Sequence, residues 1–421
     1  MGDNANSTSK QPAPLPSAAT FAVVVLTAMN LLNYLDRYVP SAVKDLFKRD
    51  LGLSDAQTSY PLMAFVVVYM LTSPVFGSLG DRWSRKALIS TGVALWSLAT
   101  AGAALATGFW SFLAARALVG VGEAAYATIS PSLLSDFYPP SRRNRILTVF
   151  YLAIPVGSAL GFLIGGAVGG HWGWRAAFLV CGLPGLAVAA LAMVIREPRR
   201  GGMDAKEESA AVPAWPAALR LLARNREYVI AVAGYTAVTF AAGGMADWYM
   251  TFLVRHRGMG LAESGGLMGP ATVLGGLGGT LIGGLLADWM RKKTRNPYFA
   301  LSALSMIPAT LFAVAALLAR DRTAIFVCIL LAQFFLWFYN GPINAILVNS
   351  VAANMRARAF SLSILSIHIL GDAISPSIIG SISDRTGNLF SAMFLIPAAM
   401  ALGAALWAAG WAGRQRTATR S

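Results

Sequence analysis

The chain has 421 residues, 56% of them hydrophobic and 13% charged, with a mean hydropathy of +0.58. Soluble domains carry about 25% charged residues, so this composition excludes an ordinary soluble protein and indicates a polytopic membrane protein. The net charge of +15 does not argue for a nucleic-acid partner, because cytoplasmic loops of membrane proteins collect Lys and Arg.

Residues 1–17 are polar and rich in Ser, Pro and Ala, the composition of a disordered tail. The apolar run that follows is too long for a signal-peptide core and reads as a retained first helix. Twelve spans are expected: 18–42, 55–79, 87–106, 109–136, 146–169, 175–195, 227–254, 263–288, 298–319, 323–350, 358–381 and 388–412. The polar segment 196–226 separates two bundles of six, at 18–195 and 227–412, and residues 413–421 form a second tail. With the N-terminus placed inside, the inner segments hold 23 Lys and Arg and the outer segments 9. Both termini are therefore expected in the cytoplasm. The two cysteines, Cys181 and Cys328, lie in apolar runs and suggest neither a disulfide framework nor a metal.

Span one is unusual in carrying Asn30, Asn33, Asp36 and Arg37 as one polar stripe. Charges in hydrocarbon are expensive and normally face a bundle interior or a water-filled path. Span four supplies the complement, Arg116 and Glu123, seven residues and about 10 Å apart along one helix face. Gly120 between them suggests open space on that face. Asp36 and Arg116 are expected at one level, with Arg37 reaching diagonally to Glu123. Two readings stay open: static ion pairs joining the two spans, or a site for an anionic head group and a coupling proton.

Span two closes on Gly77-Ser78-Leu79-Gly80-Asp81-Arg82-Trp83-Ser84-Arg85-Lys86, and span eight on Gly284-Leu285-Leu286-Ala287-Asp288-Trp289-Met290-Arg291-Lys292-Lys293. The repeat suggests two parallel halves with a substrate site between them near the midplane. Asp81, Arg85 and Asp288 are expected to gate, with Arg142 and Arg143 after Asp136, and Arg356 and Arg358, as partners. Lys86, Lys292 and Lys293 are accounted for by topology alone. Glycines at 157, 161 and 165 and at 275/276, 279 and 283 mark close-packing faces, one in each half. They are expected to meet across the seam between the halves.

In the second half, Phe334-Phe335-Leu336-Trp337-Phe338-Tyr339-Asn340-Gly341-Pro342 reads either as core or as an apolar wall for an acyl chain, bent at Gly341-Pro342. His368 and Asp372 are one turn apart, and His368 is a further candidate for proton coupling. No P-loop, H-E-x-x-H or G-x-S-x-G motif is present, which argues against an ATP-driven pump or an enzyme.

The segment Gly77–Lys86 resembles the G-x-L-x-D-R-x-x-R-K loop of the major facilitator superfamily. Arg116-x3-Gly120-x-Gly122-Glu123 resembles its fourth-helix motif, and Gly170-His171-Trp172-Gly173-Trp174-Arg175 its entry to the sixth helix. Within the superfamily, Asn33-Tyr34-Leu35-Asp36-Arg37 together with Arg116 and Glu123 is similar to the spinster family of lysolipid and sphingosine-1-phosphate transporters. The glycines of span five also resemble an antiporter motif, except that Phe162 stands where that motif has Pro.

The resemblance implies an all-α membrane protein of 12 transmembrane helices in two six-helix bundles, acting as a monomer in the lipid bilayer. It implies a secondary transporter, driven by a proton gradient and without other cofactor, that moves an amphiphilic anion by alternating access. Multidrug efflux or transport of a small organic anion is the alternative. Candidate substrate-binding residues are Asn33, Arg37, Arg116, Tyr126, Trp337 and Tyr339. Candidates for proton coupling are Asp36, Glu123 and His368. Gating candidates are Gly77, Asp81, Arg85, Asp136, Arg142, Asp288 and Arg291, whose inner-face charges are implied to lock the outward-open state.

Overall fold

A computed structural model of the chain describes residues 16–200, 215–291, 293–294 and 296–418, and every described element is helical. The expected tail up to residue 15, the loop centre 201–214, Lys292 and the last three residues lie outside the described residues. In the first half run α1 (Pro16–Ala42), α2 (Lys44–Asp50), α3 (Asp55–Arg82), α4 (Arg85–Ala103), α5 (Phe109–Phe137), α6 (Pro140–Gly182) and α7 (Pro184–Met193). The loop between the halves contains α8 (Trp215–Arg224). After it come α9 (Arg226–Arg257), α10 (Leu261–Met290), α11 (Pro297–Leu318), α12 (Arg322–Leu336), α13 (Asn340–Asn349), α14 (Arg356–Ile367), α15 (Ser375–Thr386), α16 (Leu389–Met393) and α17 (Leu395–Ala418).

Among the described residues, ten helical stretches are long and apolar enough to cross a membrane. One of them, Arg145–Met193, covers 49 residues and is broken at Gly173. There φ is +85°, a conformation that glycine adopts without steric cost. The 19-residue α4 falls outside these ten.

Three local features depart from the expectations. The break near Gly341-Pro342 comes one turn early, as a 3-10 turn at Trp337–Tyr339. Pro342 has no N–H to offer the Phe338 carbonyl, so the chain tightens where that bond is missing. Between α14 and α15, residues His368–Asp372 form a π-helical turn with Gly371 at φ −109°, ψ −105°. Within the polar loop, α8 is amphipathic, with Ala218 and Leu222 buried.

The glycine faces also pack differently from expectation. A Cβ on Gly157 or Gly161 would sit 2.3 or 2.7 Å from the Leu31 or Leu35 carbonyl oxygen, so that stripe seats α1 within its own half. Gly275, Gly279 and Gly283 seat α12 and the turn after it in the same way, against Gln333, Phe334 and Phe338. The seam between α6 and α10 is made by other small residues: a Cβ on Gly166 would meet the Leu261 carbonyl oxygen at 2.5 Å, and one on Gly265 that of Phe162 at 2.4 Å. Each stripe is used where its own neighbouring helix lies, and helical period alone does not say which helix that is.

Candidate functional site

The polar stripe of α1 packs against α5 as spacing suggests. Arg37 donates from Nε and Nη2 to Oε2 of Glu123, at 2.8 and 2.7 Å. The Arg37 side chain keeps one fifth of its surface exposed, whereas Glu123 is fully buried. Three rings surround the guanidinium, with Tyr34, Phe65 and Tyr69 centroids at 4.7, 5.0 and 5.5 Å, an arrangement that stabilises a cation.

The level pair is not formed. Asp36 is buried and accepts a hydrogen bond from Thr100 Oγ1 at 3.4 Å. Arg116 is buried beside the Phe65 ring at 5.7 Å, and its Nε, Nη1 and Nη2 have no hydrogen-bond partner among the described residues. Asn33 is likewise buried, on the α1 face that meets Glu123. The expected open space at Gly120 is absent, because a Cβ there would stand 2.5 Å from the Phe65 carbonyl oxygen. The backbone of α3 at Phe65 and Tyr69 fills the face between Arg116 and Glu123. Tyr126 is buried and donates to the Leu26 carbonyl at 2.7 Å, so its hydroxyl ties α5 to α1.

In the second half, Tyr339 is buried and packs on Tyr235, with centroids 5.2 Å apart. Trp337 is half-buried and stacks against Tyr339 at 6.3 Å. His368 Nδ1 lies 3.0 Å from both carboxylate oxygens of Asp372 on the π turn.

The gating candidates separate into two groups. Arg85 is buried, bonded to Asp136 at 2.5 Å and to Glu197 at 3.0 Å, and donates to the Pro198 carbonyl. It thereby clamps the start of the loop between the halves onto the first half. Glu197 is partly buried, which disfavours its charge, but hydrogen bonds from the Arg85 side chain and backbone outweigh this and hold its carboxyl below the usual value. Gly77 packs beside Thr128 of α5. By contrast Asp81, Arg142, Asp288 and Arg291 are exposed. Asp288 and Arg291 lie 3.8 Å apart at the end of one helix and do not bridge the halves.

The opposite end carries a cluster that includes Lys44 and Arg255, two of the nine outer Lys and Arg residues, and Asp247 near the outer end of span seven. Lys44 of α2 is buried and bonded to Asp247 of α9, which also accepts from Ser41 and Ser59 at 3.0 Å each. Arg255 bonds Asp45 at 2.5 Å and Asp55 at 2.9 Å. Asp384 of α15 accepts from the backbone N–H groups of Asp55 and Ala56, at 2.8 and 2.9 Å, and so caps α3. A Cβ on Gly380 would lie 2.8 Å from the Asp55 carbonyl oxygen. Together these contacts tie the halves at this end. A signal for them existed in the sequence: Gly380-x3-Asp384-Arg385 repeats the spacing of Gly77-x3-Asp81-Arg82.

The Major Facilitator Superfamily model matches residues 26–376. Protein spinster homolog 1 of Homo sapiens is 35% identical over 401 residues, covering 90% of this chain and 76% of the relative. The chain belongs to the spinster family of the major facilitator superfamily. The sphingosine-1-phosphate transporter SPNS2 of Danio rerio is another spinster relative, 33% identical over 384 residues, covering 86% of this chain and 76% of that protein. Among solved structures, an inward-facing, unoccupied bacterial homolog of the human lysosomal transporter spinster has the same fold. Its TM-score is 0.78 at 22% identity, over 94% of this chain and 96% of that one. As a spinster-family member the chain is a multi-span membrane transporter and not an enzyme.

Proposed function

We propose that the chain is a proton-coupled secondary transporter that moves an anionic, lipid-like amphiphile by alternating access. The observation that carries this reading is the Arg37–Glu123 pair, in which the cation is partly exposed and the acid is not. An anionic head group takes Arg37 and competes with Glu123 for its donors. Glu123 is then left beside Arg116, a buried guanidinium with three unspent nitrogens. A guanidinium keeps its charge, whereas a carboxyl can take up a proton. Asp36 and Glu123 are therefore the groups that exchange a proton as the head group arrives and leaves. Trp337 supplies apolar surface for the tail, and the kinship to SPNS2, a sphingosine-1-phosphate transporter, supports a phosphate-bearing amphiphile.

The membrane topology fits this reading with twelve crossings and both termini in the cytoplasm. The ten long apolar helices become twelve when Arg145–Met193 is divided at Gly173 and α4 is added. The Lys44–Asp247 and Arg255–Asp55 contacts then form the outer seal. Asp81, exposed here, engages the second half when the inner end closes, as Asp384 engages α3 at the outer end.

Uptake into proteoliposomes tests the reading. A series of lysophospholipids, sphingosine phosphate and short organic anions is compared with and without an uncoupler. Tail-dependent uptake of phosphate-bearing amphiphiles that collapses with the proton gradient is expected. Uptake of short organic anions without a tail requirement, or uptake indifferent to the uncoupler, contradicts it.

A further inference from the structure

The transport reading leaves unused a groove of about 530 Å³ between α8, α9 and the helix that follows Arg356. α8 is apolar where it meets the second half, through buried Ala218 and Leu222, and carries exposed Arg220 and Arg224. A helix of this kind lies in the plane of a membrane interface. It stands immediately before α9, a membrane-crossing helix, and so at the point where α9 enters the bilayer. The junction is fixed: Asn225 donates to the Ser350 carbonyl at 2.6 Å, and the Tyr228 hydroxyl to that of Ala359 at 2.8 Å.

On the far wall, Leu362, Ser366 and Leu370 follow one another at four-residue spacing and face the groove. Ser366 is bonded to the Leu362 carbonyl at 2.8 Å, and Thr236 on α9 to that of Val232 at 2.9 Å. Both hydroxyls are spent on their own helices, so the bore is apolar. From Leu362 to Leu370 it runs about 12 Å at the helical rise.

Arg358 stands one step earlier in the same row, at the interfacial end. Its guanidinium lies over the Trp215 ring of α8 at 4.8 Å, and its Nη1 is buried with no hydrogen-bond partner among the described residues. An apolar bore with an arginine one turn beyond its Leu362 end, set at a bilayer surface, matches one chain and the phosphate of a membrane lipid.

We propose that this groove is a binding site for an anionic bilayer phospholipid. One acyl chain lies along Leu362–Leu370, the phosphate takes the partly exposed Arg358 side chain, and Arg220 and Arg224 supply the surrounding positive field. The site is separate from the Arg37–Glu123 pair and does not depend on which substrate is carried.

Native mass spectrometry of the delipidated full-length chain tests it, with phosphatidylglycerol and phosphatidylcholine added separately. One phosphatidylglycerol per chain is expected, retained roughly tenfold or more over phosphatidylcholine, as a charge-assisted hydrogen bond implies. Arg358→Gln should remove the preference. Ala223→Trp fills the groove from an exposed position on α8, leaving the core untouched, and should abolish retention. Equal retention of the two lipids by the wild type overturns the proposal, as does unchanged phosphatidylglycerol binding in Arg358→Gln. Survival of binding in Ala223→Trp also overturns it, because attraction to a basic surface would then suffice.

Discussion

Arg37 commits two of its nitrogens to one oxygen of Glu123, at 2.7 and 2.8 Å, and Arg116 is left with no hydrogen-bond partner among the described residues. The two arginines are thereby unequal. Arg37 is partly exposed and can be approached by an anion, whereas Arg116 stands behind it as a fixed buried charge.

The inequality predicts different phenotypes. Arg37→Gln removes a charge-assisted contact to the substrate and should weaken its binding roughly ten- to a hundredfold, read as Kd by fluorescence or calorimetry. Arg116→Gln touches no exposed surface and should act on turnover and its dependence on the proton gradient, with Kd changed much less. Equal loss of binding in both variants would show that the head group reaches Arg116 directly.

Breaking the pair from the acid side tests its structural share. Glu123→Ala leaves Arg37 and Arg116 without their buried counter-charge. Loss of one partner of a buried ion pair typically costs about 3–5 kcal/mol. A clear drop in thermal midpoint in detergent is expected for Glu123→Ala, and a smaller one for Glu123→Gln, which keeps an oxygen acceptor.

At the Lys44 end, the contacts joining the halves should set the conformational balance. Arg255→Ala together with Asp247→Asn removes cation partners from Asp45 and Asp55 and the charge facing Lys44. Cysteine accessibility at position 59, buried in the intact chain, should rise in that background. Labelling that stays at the control level would show that α3–α15 packing at Gly380 is enough to hold this end shut.

The α6–α10 seam gives a steric prediction. Gly265→Val places side-chain atoms against the Phe162 carbonyl, and overpacking typically costs about 1–3 kcal/mol. Gly266→Ala, with nothing within 4 Å of the added carbon, should leave both stability and transport near wild type. The comparison is read by thermal melting and uptake on the same preparations.

The Arg85–Glu197 clamp should respond to acid. The Glu197 carboxyl is held below its usual value, so the clamp's contribution is complete above the ordinary Glu range near 4.3 and is lost as pH falls through the lowered value. Proteolysis of the loop between the halves should quicken over that interval in the wild type. Glu197→Gln should be open throughout and lose the pH dependence.

Much of this architecture is legible in the chain itself. Apolar runs mark the spans to within a few residues, because a helix that must satisfy its backbone within hydrocarbon leaves a long uncharged signature. Helical spacing likewise set Arg37 and Glu123 within reach of each other. Only the tertiary structure decided the azimuth of each helix. It left Arg116 without a hydrogen bond to Asp36, filled the face at Gly120 with α3, and seated the two glycine stripes on α1 and α12 instead of on each other. It also brought Lys44 to Asp247 and Arg358 to Trp215, pairs separated by long stretches of sequence. Periodicity is a local property that says which residues share a face. Which neighbour that face meets depends on helix–helix packing, and the unspent donors of Arg116 and Arg358 become visible only once those neighbours are in place.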